Sequence, residues 1–172
     1  YEHLATGRRS HKEIALNTAY WHGGYFLFVP RNIKVELPLY VLQSITGNSE
    51  VLFSRSLIVV ESGAQVCLIH DAYSAQEAEP SMVSDILEIY LYNNAELNLL
   101  SLQQWDKSVH AHTYAQAKLE RDARYTVLNI GTGAAYHYAQ SGTSLESPGA
   151  DAQLLGLYIG ESDQHFRQNS IQ

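Results

Sequence analysis

A repeat of near-constant length constrains the fold of this chain more than any other feature. Each copy consists of a turn-prone polar pair, a small or β-branched anchor residue and a strand-like run. The pairs are Arg31-Asn32, Ser62-Gly63, Asn93-Asn94, Arg121-Asp122 and Pro148-Gly149, and the anchors are Ile33, Ala64, Ala95, Ala123 and Ala150. Successive anchors are 31, 31, 28 and 27 residues apart. A period in this range predicts stacked structural units rather than one compact sheet.

The residues after each anchor alternate between polar and apolar types. The fourth position after the anchor is apolar throughout and consists of Leu37, Leu68, Leu99, Val127 and Leu154. The third position is mostly polar and consists of Glu36, Cys67, Asn98, Thr126 and Gln153. Alternation with a period of two predicts a strand with one dry and one wet face. Because the columns align between units, we expect the strands to stack in register over a continuous core.

A second strand-like run precedes each anchor, so each repeat is expected to hold two strands joined by a turn. These runs are Tyr25–Val29, Ser56–Val60, Ile86–Tyr92, Thr113–Leu119 and Tyr136–Ser141. Two irregular loops, Asp71–Val83 and Trp105–Ala111, are expected to interrupt the pattern. The sequence therefore predicts an all-β solenoid of stacked strands over residues 21–172, after an N-terminal arm or partial helix over residues 1–20.

Composition narrows the class of protein. With 172 residues, 45% hydrophobic and 17% charged, the chain suits one folded domain. It has no run of about 20 apolar residues for a membrane helix and no signal-peptide pattern. A net charge of −7 without a basic cluster argues against a nucleic-acid partner. The single cysteine suits the reducing cytoplasm. Because no capping unit covers the last repeat, we expect the core of a longer protein.

Three residues are candidates for metal or cluster chemistry. Cys67 is the only thiol, but it falls in the wet column and one thiolate does not hold a cluster, so a spacer role is the favoured interpretation. His110 and His112 are two residues apart and would share one strand face, so both imidazoles could reach one metal ion. Zinc and iron sites usually need three or more protein ligands, which favours two surface histidines.

Other motifs are weaker. Gly131-Thr132-Gly133 lacks the third glycine and the following helix of a dinucleotide site, which indicates a strand and turn. Glu36, Glu96 and Asp151 lie in the wet columns but on different repeats, which is typical of a solvated face. A carbohydrate-active β-helix enzyme, which would need clustered carboxylates, stays open as an alternative. A cupin-like metal enzyme that uses the two histidines is a third hypothesis.

Several motifs together resemble the SufB/SufD family, the paired scaffold subunits of the Suf iron–sulfur cluster assembly machine. The resemblance extends from about Trp21 to the end of the chain. Its motifs are Trp21–Pro30, Arg55–Ala64, Asn93–Leu97, Gln103-Gln104-Trp105 and Gly160–Gln172 with Gln164-His165. Each motif alone is short, but their order and spacing are fairly specific. The resemblance implies a right-handed parallel β-helix, in agreement with the repeat.

The family resemblance also implies a function and partners. It implies a non-catalytic, cytoplasmic scaffold subunit that pairs with a SufB-like subunit or with a second copy of itself. The family binds the ATPase SufC through a C-terminal helical region that this sequence lacks. The SufB branch carries a sulfur-handling cysteine where this chain has Asp71-Ala72-Tyr73, so the chain is nearer SufD or a divergent paralogue. An iron–sulfur cluster is expected only transiently, in the assembled complex.

Overall fold

The chain forms a β-solenoid of about five turns. The structure is a computed structural model that describes residues 12–45, 50–74 and 80–172. In chain order its elements are α1 (Lys12–Tyr20), β1 (Phe26–Val29), β2 (Leu39–Ile45), β3 (Val51–Val60), β4 (Gln65–Ser74), β5 (Ser81–Leu91), β6 (Glu96–Gln104), β7 (Val109–Leu119), β8 (Arg124–Gly131), β9 (Tyr136–Leu145), β10 (Asp151–Tyr158) and β11 (His165–Ile171). The all-β prediction is confirmed.

The strands alternate between two parallel sheets that face each other across the core. Sheet A has the order β1-β3-β5-β7-β9-β11, and sheet B has the order β10-β8-β6-β4-β2. Every strand that precedes an anchor lies in sheet A, and every strand that follows one lies in sheet B. The strands of the middle turns bury alternate side chains against the opposite sheet, so the apolar columns form a core that runs from turn to turn of the solenoid.

The predicted polar pairs form the corners between the two sheets. The second residue of every pair has a positive φ of 55° to 78°, and these residues are Asn32, Gly63, Asn94, Asp122 and Gly149. Asn, Asp and Gly adopt this left-handed conformation at the lowest cost, which explains why these types recur there. The N–H groups of the first four donate to a carbonyl of the next corner at 2.9 to 3.2 Å. The corners therefore stack directly on one another.

The later repeats stack in the predicted register. Across neighbouring strands, the first column pairs in the order Gln65, Glu96, Arg124 and Asp151, and the fourth in the order Leu68, Leu99, Val127 and Leu154. The anchors Ala64, Ala95 and Ala123 are at most 1% exposed. Small residues are required at these positions because successive corners approach each other closely.

The first repeat departs from the predicted alignment. Leu39, rather than Leu37, pairs with Leu68. Leu37 is 78% exposed, so its assignment to the apolar column is wrong, whereas Glu36 is exposed, as expected of the wet column. Pro38 has no N–H to donate to a strand ladder, and β2 begins only after it.

Both predicted loops are shorter than the sequence indicated. β4 and β5 extend into the predicted loop Asp71–Val83 from both sides, and residues 75–79 lie outside the described part of the chain. β7 begins at Val109, inside the predicted loop Trp105–Ala111. The polar residues at these strand ends mislead because their backbone groups pair with neighbouring strands, which overrides local propensity.

Helix α1 packs on the outer face of sheet A. Ile14 is buried there against three residues of the sheet, Ile86, Tyr114 and Tyr138. Asn17 is fully buried, and its Nδ2 donates to the carbonyl oxygens of Ser54 at 2.9 Å and Ser84 at 2.8 Å. These two bonds join the helix to adjacent strands of the sheet and fix its position. Residues 1–11 of the predicted arm or partial helix over residues 1–20 lie outside the described residues.

We predict that Ala95→Asp destabilises the fold far more than the adjacent Glu96→Ala. Ala95 is 1% exposed, so a carboxylate there would be buried without a partner, at a cost of several kcal/mol. Glu96 points outward, and its truncation should change the free energy of unfolding by less than about 0.5 kcal/mol. Urea unfolding followed by circular dichroism measures both. Small and equal effects would contradict the register described above.

Candidate functional site

Cys67 lies on the outer face of sheet B. It is partly exposed between the buried residues Val66 and Leu68, and its thiol is free. Its cross-strand neighbour in β6 is Asn98. The prediction that Cys67 points away from the core is confirmed.

His110 and His112 lie on the outer face of β7, as their spacing predicts. His110 is exposed and stacks on Tyr136 at 6.2 Å between ring centroids. His112 is half-buried between Tyr136 at 5.7 Å and Tyr138 at 6.2 Å. Burial lowers the pKa of His112, although the Glu13 carboxylate opposes the shift. In the described residues, no group of three or more histidine, cysteine or carboxylate side chains is arranged to hold a metal ion.

A relay of hydrogen bonds crosses the interior from one sheet to the other. His70 Nε2 donates to Gln43 Oε1 at 3.2 Å, and both side chains project inward from sheet B. Gln43 Nε2 donates to Ser54 Oγ at 2.8 Å. Ser54 in turn donates to a carboxylate oxygen of Asp85, which projects inward from sheet A. Asp85 is only 8% exposed, so this hydrogen bond offsets part of the cost of burying its charge.

His137 is a second polar group inside the solenoid. Its Nε2 lies 3.0 Å from Thr113 Oγ1, and its ring packs near Tyr158 and Phe166 at 6.2 and 6.4 Å. Its Nδ1 has no hydrogen-bond partner within the described part of the chain. Burial lowers the pKa of His137 from 6.5 to about 4, and the nearby His112 adds to the shift. The ring is therefore neutral at physiological pH.

A small cavity lies between the relay of His70 to Asp85 and the ring of His137. Its volume is about 60 Å³, and His70, Asp85, Gln103, Thr113 and His137 contribute to its lining. A water molecule needs about 10–15 Å³ on this measure, so the cavity has room for about four waters. Pockets for small-molecule ligands usually measure about 300–1,000 Å³. The interior can hold water-sized polar molecules but not a sugar ring.

The outward-facing carboxylates do not form a catalytic pair. Glu96 and Asp151 lie in the same column, but Arg124 stands between them in register. Glycoside hydrolysis needs two carboxyl groups that act on one bond, one of them with a raised pKa. The prediction of a solvated face with alternating charge therefore fits this column.

The short glycine motif has a packing role. Gly131 ends β8, and Gly133 lies in the connection between β8 and β9. A side chain at Gly133 would place its Cβ 2.0 Å from the carbonyl oxygen of Trp105. The motif therefore ends a strand, as expected, and another strand rather than a helix follows it.

Sequence reasoning missed the interior polar groups, although a signal for them exists. His70 lies two residues beyond Leu68, and Asp85 lies two residues before Leu87, so strict alternation places both inside. Polar side chains at inward positions of a strand indicate an internal hydrogen-bond network. Because the start of β5 was assigned to the predicted loop Asp71–Val83, Asp85 was not recognised as an inward-facing residue of a strand.

A comparison with protein-family models identifies the chain. The model for "SUF system FeS cluster assembly, SufBD core domain" matches residues 43–172, about three quarters of the sequence. The chain belongs to the SufBD family. The matched segment contains most of the solenoid, from β2 to β11. The predicted resemblance is confirmed, and SufBD proteins take part in iron–sulfur cluster assembly.

Curated SufBD relatives share the sequence over most or part of its length. An iron–sulfur cluster assembly SufBD family protein of Pyrococcus horikoshii is 29% identical over 155 residues, which cover 90% of this chain and 35% of that protein. Those of Staphylococcus aureus and Staphylococcus epidermidis are 33% and 31% identical over 99 residues, which cover 58% of this chain and 21% of each relative. The chain thus spans about a third or less of the length of these relatives.

Two further findings concern solved structures and membrane-spanning helices. No solved structure matches it significantly. In the described residues, no helix has both the length and the apolar character that crossing a membrane requires.

We predict that the free energy of unfolding falls as the pH decreases from about 6.5 to about 4. The pKa of His137 is lower in the folded chain than its ordinary value of 6.5, so below that pH the unfolded chain binds the additional proton. The contribution of His137 to the free energy of unfolding is fully present above pH 6.5, and about 3 kcal/mol of it is lost as the pH falls across this range. Chemical denaturation at a series of pH values measures it.

His137→Gln is the test variant for this pH dependence, and His165→Gln is its control. Glutamine does not titrate, so the loss of stability between pH 6.5 and 5 should become smaller in the first variant. His165 is exposed, so the second variant should keep the original pH profile. Identical profiles for the wild type and His137→Gln would contradict the assignment.

Proposed function

We propose that this SufBD chain is part of a non-catalytic scaffold subunit of the Suf complex. The subunit acts through contacts with a second β-helix subunit, either SufB-like or a copy of itself, and with a SufC-type ATPase. The ATPase contact lies in a region beyond these 172 residues, and the complex works in the cytoplasm. An iron–sulfur cluster is the cargo of the assembled complex. The family match over the solenoid itself is the observation that carries the proposal.

The architecture suits a scaffold because its turns are joined to one another throughout the part of the solenoid that the structure describes. Each turn of the solenoid is hydrogen-bonded to the next through both sheets and through the stacked corners. In such solenoids each repeat contacts only the neighbouring repeats, and the stacked repeats present long, regular faces. A rigid element of this kind can hold bound partners at a fixed separation while an ATPase domain moves.

The interior and the outer carboxylates support a role without substrate turnover. The cavity of about 60 Å³ is far smaller than an ordinary ligand pocket. Glu96 and Asp151 flank Arg124 instead of each other. Neither arrangement favours the alternative of a carbohydrate-active enzyme. Contacts at the surface are then the means by which the subunit acts.

Asp71 supports the assignment to the SufD side of the family. It belongs to the segment Asp71-Ala72-Tyr73, which by the family resemblance stands where the SufB branch carries its sulfur-handling cysteine. Its carboxylate accepts hydrogen bonds from the Tyr40 hydroxyl and, at 3.0 Å, from Gln104 Nε2. In this chain, the position therefore serves the packing of three adjacent strands rather than sulfur chemistry.

A native pull-down of the full-length protein tests the proposal. We expect an ABC-type ATPase and a second β-helix subunit to co-purify with it, as identified by mass spectrometry. A full-length Ala95→Asp variant is the control, because partners that require the folded solenoid should then be lost. A protein that purifies alone, or one that turns over a sugar or ester substrate, would contradict the proposed role.

A further inference from the structure

Sheet B carries an apolar stripe on its outer face. The stripe consists of nine side chains in two rows that cross all five strands, namely Tyr40, Ile69, Leu100, Leu128 and Leu155 in one row and Leu42, Leu102, Ile130 and Leu157 in the other. The four on the edge strands are 49–57% exposed, and the five on the inner strands are partly exposed. An apolar surface that continues across a whole sheet is typical of an interaction site.

The single charge within the stripe is already paired. Asp71 occupies the remaining position of the second row, between Leu42 and Leu102. One of its oxygens accepts from Tyr40 and the other from Gln104. Because both oxygens are engaged inside the face, a partner need not supply a group for this carboxylate, and apolar side chains suffice to cover the stripe.

The other sheet shows how this molecule covers such a surface. On the outer face of sheet A, helix α1 lies over Ile86 and Tyr114, which are 0% and 5% exposed. Both residues lie on inner strands of their sheet. The corresponding inner positions of sheet B, such as Leu100 and Leu128, remain partly exposed. The solenoid therefore already uses one helix to bury outward-facing apolar side chains of sheet A. The stripe on sheet B, with nine side chains, is larger than the set that this helix covers.

The dimensions of the stripe match those of a helix. Five strands about 4.8 Å apart give the stripe a length of about 19 Å, which equals about 13 helical residues. The two rows are about 7 Å apart along the strands, within the width of a helix of about 10 Å. A flat sheet from a second copy would also cover the adjacent column of the outer face, which consists of Cys67, Asn98, Thr126 and Gln153, whereas a helix covers the stripe alone.

We propose that the stripe is the docking site of an amphipathic helix from a partner polypeptide. The helix presents leucine-type side chains at positions i, i+3 or i+4, and i+7 to the two rows. Its flanks carry lysine and arginine, because the chain has a net charge of −7 and opposite charge favours association. This surface is separate from the SufC-type contact proposed above, which lies outside these residues.

Site-specific photocrosslinking in the full-length protein tests the docking site. A benzophenone side chain replaces Leu128 at the centre of the stripe, and cells are irradiated before the adducts are mapped by mass spectrometry. Phe28, an apolar residue that is 49% exposed on sheet A, carries the same probe as a control for general stickiness. We expect position 128 to give one dominant adduct on an amphipathic, basic helical segment, and position 28 to give much less.

A charge substitution makes the test specific. Leu155→Lys places an ammonium group in the first row at a residue that is 52% exposed, so the variant should fold normally by circular dichroism. It should reduce the adduct at position 128 several-fold, whereas Phe28→Lys should not. No adduct at position 128, equal adducts at both positions, an adduct within this chain or on a second copy of it, or an adduct unaffected by Leu155→Lys would each overturn the proposal. None of these outcomes decides whether the ATPase co-purifies with the protein, so the docking site and the proposed function can fail independently.

Discussion

The hydrogen bond from one corner residue to the next is the interaction on which this structure depends. Residues such as Asn94 hold a left-handed conformation, and in that conformation the N–H donates to the carbonyl of the next corner, here Arg121, at 2.9 Å. The corners consequently stack at one strand spacing, which leaves no room for a side chain larger than alanine at Ala95 or Ala123. The register of the later repeats follows from this stacking, because β4, β6, β8 and β10 each begin two residues after their corner residue.

The corners and columns could be predicted from sequence because similar residue types recur at the same positions in successive repeats. Asn, Asp or Gly at the left-handed position and alternation after the anchor are local signals with a direct physical cause. The rest depends on distant contacts. Nothing near Asn17 indicates that it bonds to Ser54 and Ser84, and the displacement before Leu39 follows from one proline in one repeat. The candidate residues Cys67, His110 and His112 were placed on the correct faces, but the interior relay was missed.

The distribution of polar groups explains why function is assigned to the outer surfaces. Inside, the relay from His70 to Asp85 is engaged in hydrogen bonds, and the remaining cavity is of water size. Outside, the two sheets differ: sheet A is partly covered by α1, and sheet B presents its apolar stripe. In the proposed function, a subunit built in this way holds partners on its faces while its own core stays unchanged.

The stability of Asn94 variants tests the central role of the corners most directly. Asn94→Gly keeps access to the left-handed conformation, and the free energy of unfolding should change by only a few tenths of a kcal/mol. Asn94→Val adds a β-branched side chain at a φ of 57°, which should lower it by about 1–3 kcal/mol. Urea unfolding of both variants beside the wild type gives the comparison. Equal losses for glycine and valine, or no loss for valine, would contradict the claim that these corners set the fold.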